Sequence, residues 1–406
     1  MHIILLSISG FNMLKFEPMQ IQRYFNIFTI ILFCSLIFSP SLVMFFSEKE
    51  KWSRAEKRSL ATLPLFPESI PQIPAYFLSV NEYLQDHFGF RHFFIHRYQR
   101  ELKKRFNKVI TSKVIEGLDG WLFYDDFGLI DDFFGHTPLS EKELGLWLQE
   151  IQQRQRWLGQ KGIRYLHIIA PNKQSLYPQY IMKNGEQLKG VTRFEQLEQR
   201  LSPSFPDYML NLHTALYARL NEGRLYFKND THWNRRGAYF AYQKIIERLS
   251  QWFPEETFRD DFKFDKDKIA IGGNIGHGGD LLNMIGGKNK TEELPVLKPF
   301  LQYSKRNAID KYGLSEVKRS SLTPSFSSIC EGKQLRAVVF RDSFFAHVEI
   351  FFSENFKEVI YLWKRYNQKN IEEIIRFWKP DIVMEMTVER HAFDFLHSES
   401  HPTHTP

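Results

Sequence analysis

Cysteine is scarce in this sequence, because the 406 residues include only Cys34 and Cys330. A disulfide framework is therefore not expected, and a chain of this length can build a core without one. The glycine-rich stretch 272–280 has no phosphate-binding spacing and no Gly-Lys-Ser/Thr ending, which argues against a nucleotide site. No cofactor is expected. The formal charge of +7 is modest and no nucleic-acid-binding motif occurs, so we do not expect a nucleic-acid partner.

Long apolar runs are also scarce. One is present at residues 25–46, a run of 22 uncharged residues bounded by Arg23 on one side and Glu48 on the other. At 1.5 Å per residue a helix of this length extends about 33 Å, enough to cross a hydrocarbon core of about 30 Å. We therefore expect one membrane anchor. A cleaved signal peptide is the alternative, although no Ala-x-Ala site follows the run.

After the anchor, apolar runs rich in β-branched residues alternate with amphipathic stretches. The apolar runs predict strands at 164–170, 224–228, 336–340, 357–363 and 381–386. Helices are predicted at about 75–106, 141–160, 234–249, 344–352 and 370–378, with a capping box at Ser140–Glu143 and another at Thr192–Glu195. This alternation predicts an α/β protein with a mostly parallel sheet covered by helices on both faces.

Two short strings carry the residue types of a serine acyl-transfer site. Asp230-Thr-His232-Trp-Asn follows one predicted strand, and Arg341-Asp-Ser343-Phe follows another, 111 residues after His232. The carboxyl ends of parallel strands meet at one edge of a sheet, where ligands bind. Ser343 would be the nucleophile, His232 its base and Asp230 the carboxylate that orients the imidazole.

The strings alone leave alternatives open. Aspartate, asparagine and serine at these positions also suit helix caps, with His232 as a surface histidine. His347, four residues after Ser343, competes as the base but has no carboxylate positioned to orient it, and His277 lies in the glycine-rich stretch. A metal site on Asp230 and His232 is not favoured, because the spacing suggests no third ligand.

Further motifs stand in order along the chain. They are Glu56-x-Arg58-x-Leu60, Asp86-His-Phe-Gly-Phe-Arg91, Gly117-x-x-Gly-Trp-Leu-Phe-Tyr124, Pro171-Asn-Lys-x-x-x-Tyr177, Gly279-Asp-Leu281, Lys379-Pro-Asp-Ile-Val383 and Glu389-Arg390. Together with the two strings, over about residues 50–392, they resemble the alginate O-acetyltransferase family, which has an SGNH-hydrolase-like domain.

The resemblance implies that Asp230, His232 and Ser343 are a catalytic triad, in an order permuted relative to ordinary SGNH esterases. It implies an O-acetyltransferase that passes acetyl groups, through an acetyl-serine intermediate, to hydroxyls of an exported, alginate-like polysaccharide. The expected partners are that polysaccharide, the inner membrane and a membrane-bound O-acyltransferase that supplies acetyl groups. The catalytic domain would lie in the periplasm.

The expected organisation is a cytoplasmic segment 1–24, a membrane anchor 25–46, a linker and helical lead-in 47–110, the SGNH-hydrolase-like domain 111–392 and a disordered tail 393–406. Two other functions stay open: an acetylesterase with the same triad, and a non-catalytic glycan-binding or scaffold subunit.

Acceptor contacts are predicted for Lys173, Tyr177 and Arg341, because each lies in a loop after a strand. A structural role is the alternative for each. Trp121, Trp233 and Trp363 are candidates for stacking on a sugar, with core packing as the alternative.

Overall fold

The computed structural model describes residues 18–47, 51–53, 58–91, 93–95, 97–98, 101, 113–126, 128–202, 205–271, 279–285, 287, 292–298, 300–308 and 325–397. The chain forms two compact units, residues 1–97 and residues 98–406. Glu56, His277 and most of the predicted tail lie outside the described residues.

The first unit contains a long apolar helix, a short antiparallel hairpin and a second helix. These elements are α1 (Pro18–Phe46), β1 (Trp52–Ser53), β2 (Arg58–Ser59) and α2 (Ile73–His87). By length and composition α1 can cross a membrane, although a signal sequence near an amino terminus passes the same test. The predicted anchor, 25–46, lies entirely within α1.

The second unit is an α/β structure. Its described helices are α3 (Leu129–Phe133), α4 (Glu141–Gly159), α5 (Lys173–Leu176), α6 (Gly185–Leu188), α7 (Arg193–Leu201), α8 (Leu212–Tyr217), α9 (Arg235–Trp252), α10 (Asp280–Met284), α11 (Glu349–Phe352) and α12 (Gln368–Phe377). Its described strands are β3 (Val114–Glu116), β4 (Leu122–Tyr124), β5 (Arg164–Ala170), β6 (Met209–Asn211), β7 (Phe264–Ile271), β8 (Glu293–Leu297), β9 (Lys305–Ala308), β10 (Phe326–Ile329), β11 (Arg336–Arg341), β12 (Glu358–Trp363) and β13 (Ile382–Val388).

The central sheet of the second unit has the order β6-β5-β13-β11-β12-β10-β9 among the described strands. Strands β6, β5, β13, β11 and β12 run parallel to one another, whereas β10 pairs antiparallel with β12 and β9 pairs antiparallel with β10 at one edge. The prediction of an α/β fold with a mostly parallel sheet is therefore confirmed. Two further two-stranded sheets, β3–β4 and β7–β8, lie outside the central sheet.

Alternate side chains of β11 show how the sheet is covered. Ala337 and Val339 are buried in a cluster that includes residues of α9, whereas Val338 and Phe340 are buried in a cluster that includes residues of α4 and α12. Fully burying one such aliphatic or aromatic side chain contributes about 1.5–3 kcal/mol. A strand that is buried on both faces has apolar side chains at nearly every position. This explains why the apolar run at 336–340 predicted β11 correctly.

The helix predicted at about 75–106 is interrupted after His87 by a turn at residues 88–90. Two predicted elements of the second unit also differ in the structure. Residues 224–228 are not a regular strand, and only an isolated bridge joins Tyr226 to Trp233. The predicted helix 344–352 is replaced by a 3-10 turn at Phe345–His347 followed by the single turn of α11. In both places nearby side chains bind the backbone groups that regular structure would use.

Candidate active site

Asp230, His232 and Ser343 come together at the carboxyl edge of the central sheet. The Ser343 Oγ lies 2.6 Å from His232 Nε2, and His232 Nδ1 lies 2.6 Å from Asp230 Oδ1. With the carboxylate on Nδ1, that nitrogen carries the proton and Nε2 presents its lone pair to the serine hydroxyl. All three side chains are partly buried. The arrangement can deprotonate Ser343 as it attacks an acyl carbonyl.

The turn that presents Ser343 is held by the carboxylate of Asp342. Its Oδ1 accepts a hydrogen bond from the Phe344 amide at 2.8 Å, and its Oδ2 accepts one from the Val388 amide at 2.8 Å. Asp342 therefore connects the end of β11 to the end of β13 and fixes the backbone of the residue that follows the serine. The Phe344 amide is already donated to Asp342, so an oxyanion at Ser343 needs other donors.

Trp233 connects the loop that carries His232 to the turn that carries Ser343, which we call the serine turn. Its indole Nε1 donates to the Phe344 carbonyl at 3.0 Å, and its side chain is fully buried. The next residue, Asn234, caps α9 by accepting from the Arg236 and Gly237 amides. A Cβ at Gly237 would come within 2.4 Å of the Leu225 carbonyl oxygen, which explains the need for glycine there. The Trp-Asn part of the motif thus positions His232 against Ser343.

The loop before His232 is held by charged side chains from distant parts of the chain. The Lys173 ammonium donates to the carbonyls of residues 227, 228 and 230, at 3.2, 3.1 and 2.7 Å. The Glu292 carboxylate accepts from the amides of residues 228 and 229, at 2.8 and 2.6 Å. These contacts replace a neighbouring strand as partners of the loop backbone.

Asp280, the first residue of α10, holds the same loop at the triad. Its backbone amide donates to Asp230 Oδ2 at 2.9 Å, and its carboxylate accepts from the amide and hydroxyl of Thr231, at 2.8 and 2.6 Å. Gly279 precedes it with φ +92, and a Cβ there would lie 2.3 Å from the Asn229 carbonyl oxygen. The Gly-Asp motif therefore holds the backbone of the loop that carries Asp230 and His232, which we call the triad loop.

Asp230, His232 and Asp280 also form a group whose ligand atoms lie within 4.8 Å of one another, as a metal site requires. Sequence spacing did not reveal Asp280 as this third carboxylate. Asp230 and His232 bind each other directly, however, and both carboxylate oxygens of Asp280 accept hydrogen bonds from Thr231. The observed contacts are those of an acid–imidazole–hydroxyl chain, and a metal ion would have to displace them.

The three predicted acceptor residues are all buried. Lys173 contacts the loop carbonyls described above, and the Tyr177 hydroxyl accepts from the Leu225 amide at 2.8 Å. Burial raises the pKa of Tyr177 to about 12, so the phenol is neutral. The Arg341 guanidinium lies 3.0 Å from the Glu349 carboxylate and 4.8 Å from the ring centre of Trp363. The described contacts of these residues are intramolecular, and their role toward an acceptor stays a prediction.

His347, the rival histidine, lies beside the triad rather than within it. Its ring centre is 5.9 Å from that of His232, whereas the described hydrogen bond from Ser343 Oγ goes to His232. Burial, with the neighbouring His232 as a smaller contribution, lowers the pKa of His347 to about 3, so its imidazole is neutral at ordinary pH. Trp121 and Trp233, candidates for sugar stacking, are buried in the core.

Arg390 is a residue near the site to which the sequence assigned no role. Its guanidinium lies 5.3 Å from the ring centre of Phe344, the residue after Ser343, and 3.4 Å from Asn172 Oδ1. The preceding residue, Glu389, accepts from the Asn172 amide and the Ser175 hydroxyl, both at 2.7 Å. Burial raises the pKa of Glu389. The Glu-Arg motif thus joins the end of β13 to the loop after β5.

Replacing Lys173 with methionine is expected to keep the fold but loosen the loop that carries Asp230 and His232. Three backbone carbonyls would lose their hydrogen bonds to the ammonium group. Each buried polar group that is left unpaired lowers the folding stability by about 1–3 kcal/mol. We expect a tenfold to hundredfold lower rate of acetyl-ester hydrolysis, because small displacements of reacting groups have effects of about that size. Hydrolysis is the informative assay, because it needs no sugar acceptor.

Lys228→Met is the matched control, since the Lys228 ammonium donates to the Asp119 carbonyl on the exposed surface. It should hydrolyse the ester at close to the wild-type rate. If Lys173→Met hydrolyses the ester normally but fails to acetylate a saccharide, Lys173 contacts the acceptor instead of positioning the loop.

A mostly parallel sheet with a serine, histidine and aspartate at its carboxyl edge agrees with the predicted SGNH-hydrolase-like fold. Residues 114–313 match the family model described as SGNH hydrolase-like domain, acetyltransferase AlgX. This range is just under half of the chain; it includes Asp230 and His232 and ends before Ser343. The resemblance to an alginate O-acetyltransferase-like family is therefore confirmed.

Two curated relatives are named probable alginate O-acetylase AlgJ. The protein from Pseudomonas aeruginosa is 25% identical over 175 residues, which are 42% of this chain and 41% of that protein. The one from Pseudomonas syringae pv. tomato is 26% identical over 143 residues, 35% of each chain. The matched segments thus span about two fifths or less of these relatives.

A solved structure, the O-acetyltransferase domain of Pseudomonas putida AlgJ, is also similar. It is 17% identical, with a TM-score of 0.40, over 70% of this chain and 97% of that chain.

Proposed function

We propose that this protein is a polysaccharide O-acetyltransferase that works through an acetyl-serine intermediate. The observation that carries the proposal is the continuous hydrogen-bond chain from Ser343 through His232 to Asp230, with both contacts at 2.6 Å. The names of the curated relatives support the substrate class, an alginate-like polysaccharide.

In the first half-reaction, Ser343 Oγ attacks the carbonyl carbon of an acetyl donor while its proton passes to His232 Nε2. The tetrahedral intermediate collapses, the bond to the donor breaks, and the leaving group takes the proton from His232. In the second half-reaction, a sugar hydroxyl attacks the acetyl-serine and gives its proton to His232. The ester bond to Ser343 then breaks, and His232 returns the proton to Ser343 Oγ. Asp230 keeps the imidazole in the required tautomer throughout.

The proposed setting is the periplasmic face of the inner membrane. Support comes from α1, an apolar helix near the amino terminus that fits a signal-anchor. Acetyl-CoA is a cytoplasmic metabolite, so we propose that a membrane-bound O-acyltransferase supplies the acetyl group across the membrane. Under this proposal residues 1–24 lie in the cytoplasm, 25–46 span the bilayer and 111–392 form the catalytic domain.

The test uses the full chain with an acetyl ester as donor, in the presence and absence of an alginate-type oligosaccharide. We expect acetylated sugar to accumulate at the expense of free acetate when the oligosaccharide is added. The rise in acetylated sugar and the fall in acetate should match, because both products come from one acetyl-enzyme.

The other functions predict different outcomes. An esterase releases acetate at a rate that the oligosaccharide leaves unchanged, because water is its acceptor. A scaffold subunit binds the saccharide, forms neither product, and binds equally well after Ser343→Ala. Either result would contradict the transferase proposal.

A further inference from the structure

Four phenylalanines are grouped on the surface of the first unit. Phe88, Phe90, Phe93 and Phe94 have 46%, 45%, 64% and 50% of their surfaces exposed. We call this group the aromatic turn. Leu65, Phe66 and Phe77 in the same unit are also exposed. Apolar residues grouped on a surface in this way mark a place of contact with another apolar phase.

The aromatic turn has a defined backbone. The Arg91 amide donates to the Phe88 carbonyl at 3.1 Å, which closes a four-residue turn. Phe90 adopts φ 61, a left-handed conformation that is unusual for an aromatic residue. Just before the turn, Asp86 accepts from the Ala61 amide and His87 Nε2 contacts the Ala61 carbonyl, both at 2.8 Å. The Asp-His-Phe-Gly-Phe-Arg motif thus ties α2 to the chain that leaves α1 and sets the position of the phenylalanines.

The turn packs against α1 at a definite depth. A Cβ at Gly89 would lie 2.1 Å from the Pro40 carbonyl oxygen, so the Gly89 backbone is in direct contact with the helix there. Pro40 is six residues before Phe46, the last residue of α1. At 1.5 Å per residue this is about 9 Å below the end of the helix. Interfacial segments typically insert about 5–10 Å into the boundary between headgroups and acyl chains.

We propose that the aromatic turn inserts into the outer leaflet beside α1 and that its partner is the lipid bilayer. The proposal rests on the membrane anchoring proposed above. If α1 spans the bilayer, a segment touching it about 9 Å below its outer end is surrounded by lipid. Phenylalanine suits that environment, because its side chain has no hydrogen-bonding group to desolvate. The anchor would then consist of a spanning helix and an interfacial turn.

The inference is tested with spin labels on the full chain, reconstituted in phosphatidylcholine–phosphatidylglycerol vesicles without any other protein. Oxygen concentrates in the hydrocarbon region and a nickel chelate stays in water, so their collision rates report the surroundings of each label. Cys34 is exposed on α1 and Cys330 is buried, so the native chain labels at Cys34. That label reports whether α1 is in lipid.

The measurement on the turn uses Phe93→Cys in a Cys34→Ser background, with Cys34→Ser alone as the labelling blank. We expect oxygen collisions at residue 93 to exceed nickel collisions several-fold. Leu188→Cys in the same background is the matched control, because Leu188 of the second unit is 53% exposed. At residue 188, collisions with the nickel chelate should exceed collisions with oxygen. Gly89→Leu should shift the residue 93 label toward water, because the larger side chain separates the turn from Pro40.

The outcomes separate the two proposals. If residue 93 behaves like residue 188 while Cys34 is in lipid, α1 is an anchor and the proposal for the aromatic turn is wrong. The turn would then be a surface for a protein partner, absent from these vesicles, or for no partner. If Cys34 itself is in water, the anchoring proposal fails and the aromatic turn loses its support. A residue 93 label that Gly89→Leu leaves unmoved would contradict the contact with Pro40.

Discussion

Ser343→Ala is expected to abolish covalent labelling by a fluorophosphonate and to lower acetyl transfer by about three to six orders of magnitude. Alanine removes only Oγ, the atom that lies 2.6 Å from His232 Nε2 and that would carry the acetyl group. Without it no acetyl-serine can form, and the remaining donors can only assist direct attack by the acceptor. Mass spectrometry of the labelled peptide and the initial rate of transfer give the two measurements.

Ser353→Ala is a matched control in the same segment of the chain. The Ser353 hydroxyl is buried and lies 2.8 Å from the Tyr361 hydroxyl, so its loss affects packing rather than chemistry. This variant should label at the wild-type extent. An acetyl-enzyme that forms at the wild-type rate in Ser343→Ala would show that another residue is the nucleophile.

The parts of the fold that sequence predicted best are those determined by local signals. The apolar run at 164–170 coincides with β5, because a strand covered on both faces needs apolar side chains at nearly every position. The predicted helix 141–160 matches α4 within one residue. There both hydrogen bonds of the Ser140–Glu143 capping box are present.

The parts that sequence missed depend on contacts between distant residues. The run 224–228 has the composition of a strand, but Lys173 and Glu292 bind its backbone from 55 and 64 residues away along the chain. Propensity cannot reveal such partners, because they are brought close only by the tertiary fold. The helix predicted at 344–352 failed for a related reason, since the Asp342 carboxylate fixes a turn at Phe344.

The candidate site could be predicted as a set of residue types but not as a geometry. The two strings supplied the residue types of a serine acyl-transfer site, and the family resemblance implied that Asp230, His232 and Ser343 act together. The supporting contacts of Asp280, Trp233 and Asp342 had no signal beyond their membership in motifs. Those motifs now have a physical account, because each places a backbone group or side chain against the triad loop or the serine turn.

Asp230→Asn is expected to lower the rate of acetyl transfer by about 10⁴-fold, the size of effect found when a triad aspartate becomes an amide. The carboxylate has donors on both sides: His232 N and Nδ1 contact its Oδ1, and the Asp280 amide contacts its Oδ2. An asparagine has one oxygen and one NH₂ group. If the oxygen faces Asp280, the NH₂ donates to Nδ1 and forces the proton onto Nε2, which then cannot act as a base. If the oxygen faces His232, the NH₂ group faces the Asp280 amide, and the two hydrogen-bond donors repel each other.

Asp280→Asn is the matched control, because it changes to an amide a carboxylate that lies 3.7 Å from His232 Nδ1, beyond hydrogen-bond distance, whereas Asp230 lies 2.6 Å from that nitrogen. Asp280 accepts from the Thr231 amide through one oxygen and from the Thr231 hydroxyl through the other. A hydroxyl can rotate and accept from an NH₂ group, so both contacts survive the change. We expect less than about a tenfold loss of rate. The initial rates of ester hydrolysis and of transfer measure both variants, and equal losses for Asp230→Asn and Asp280→Asn would mean that Asp230 has no special part in orienting His232.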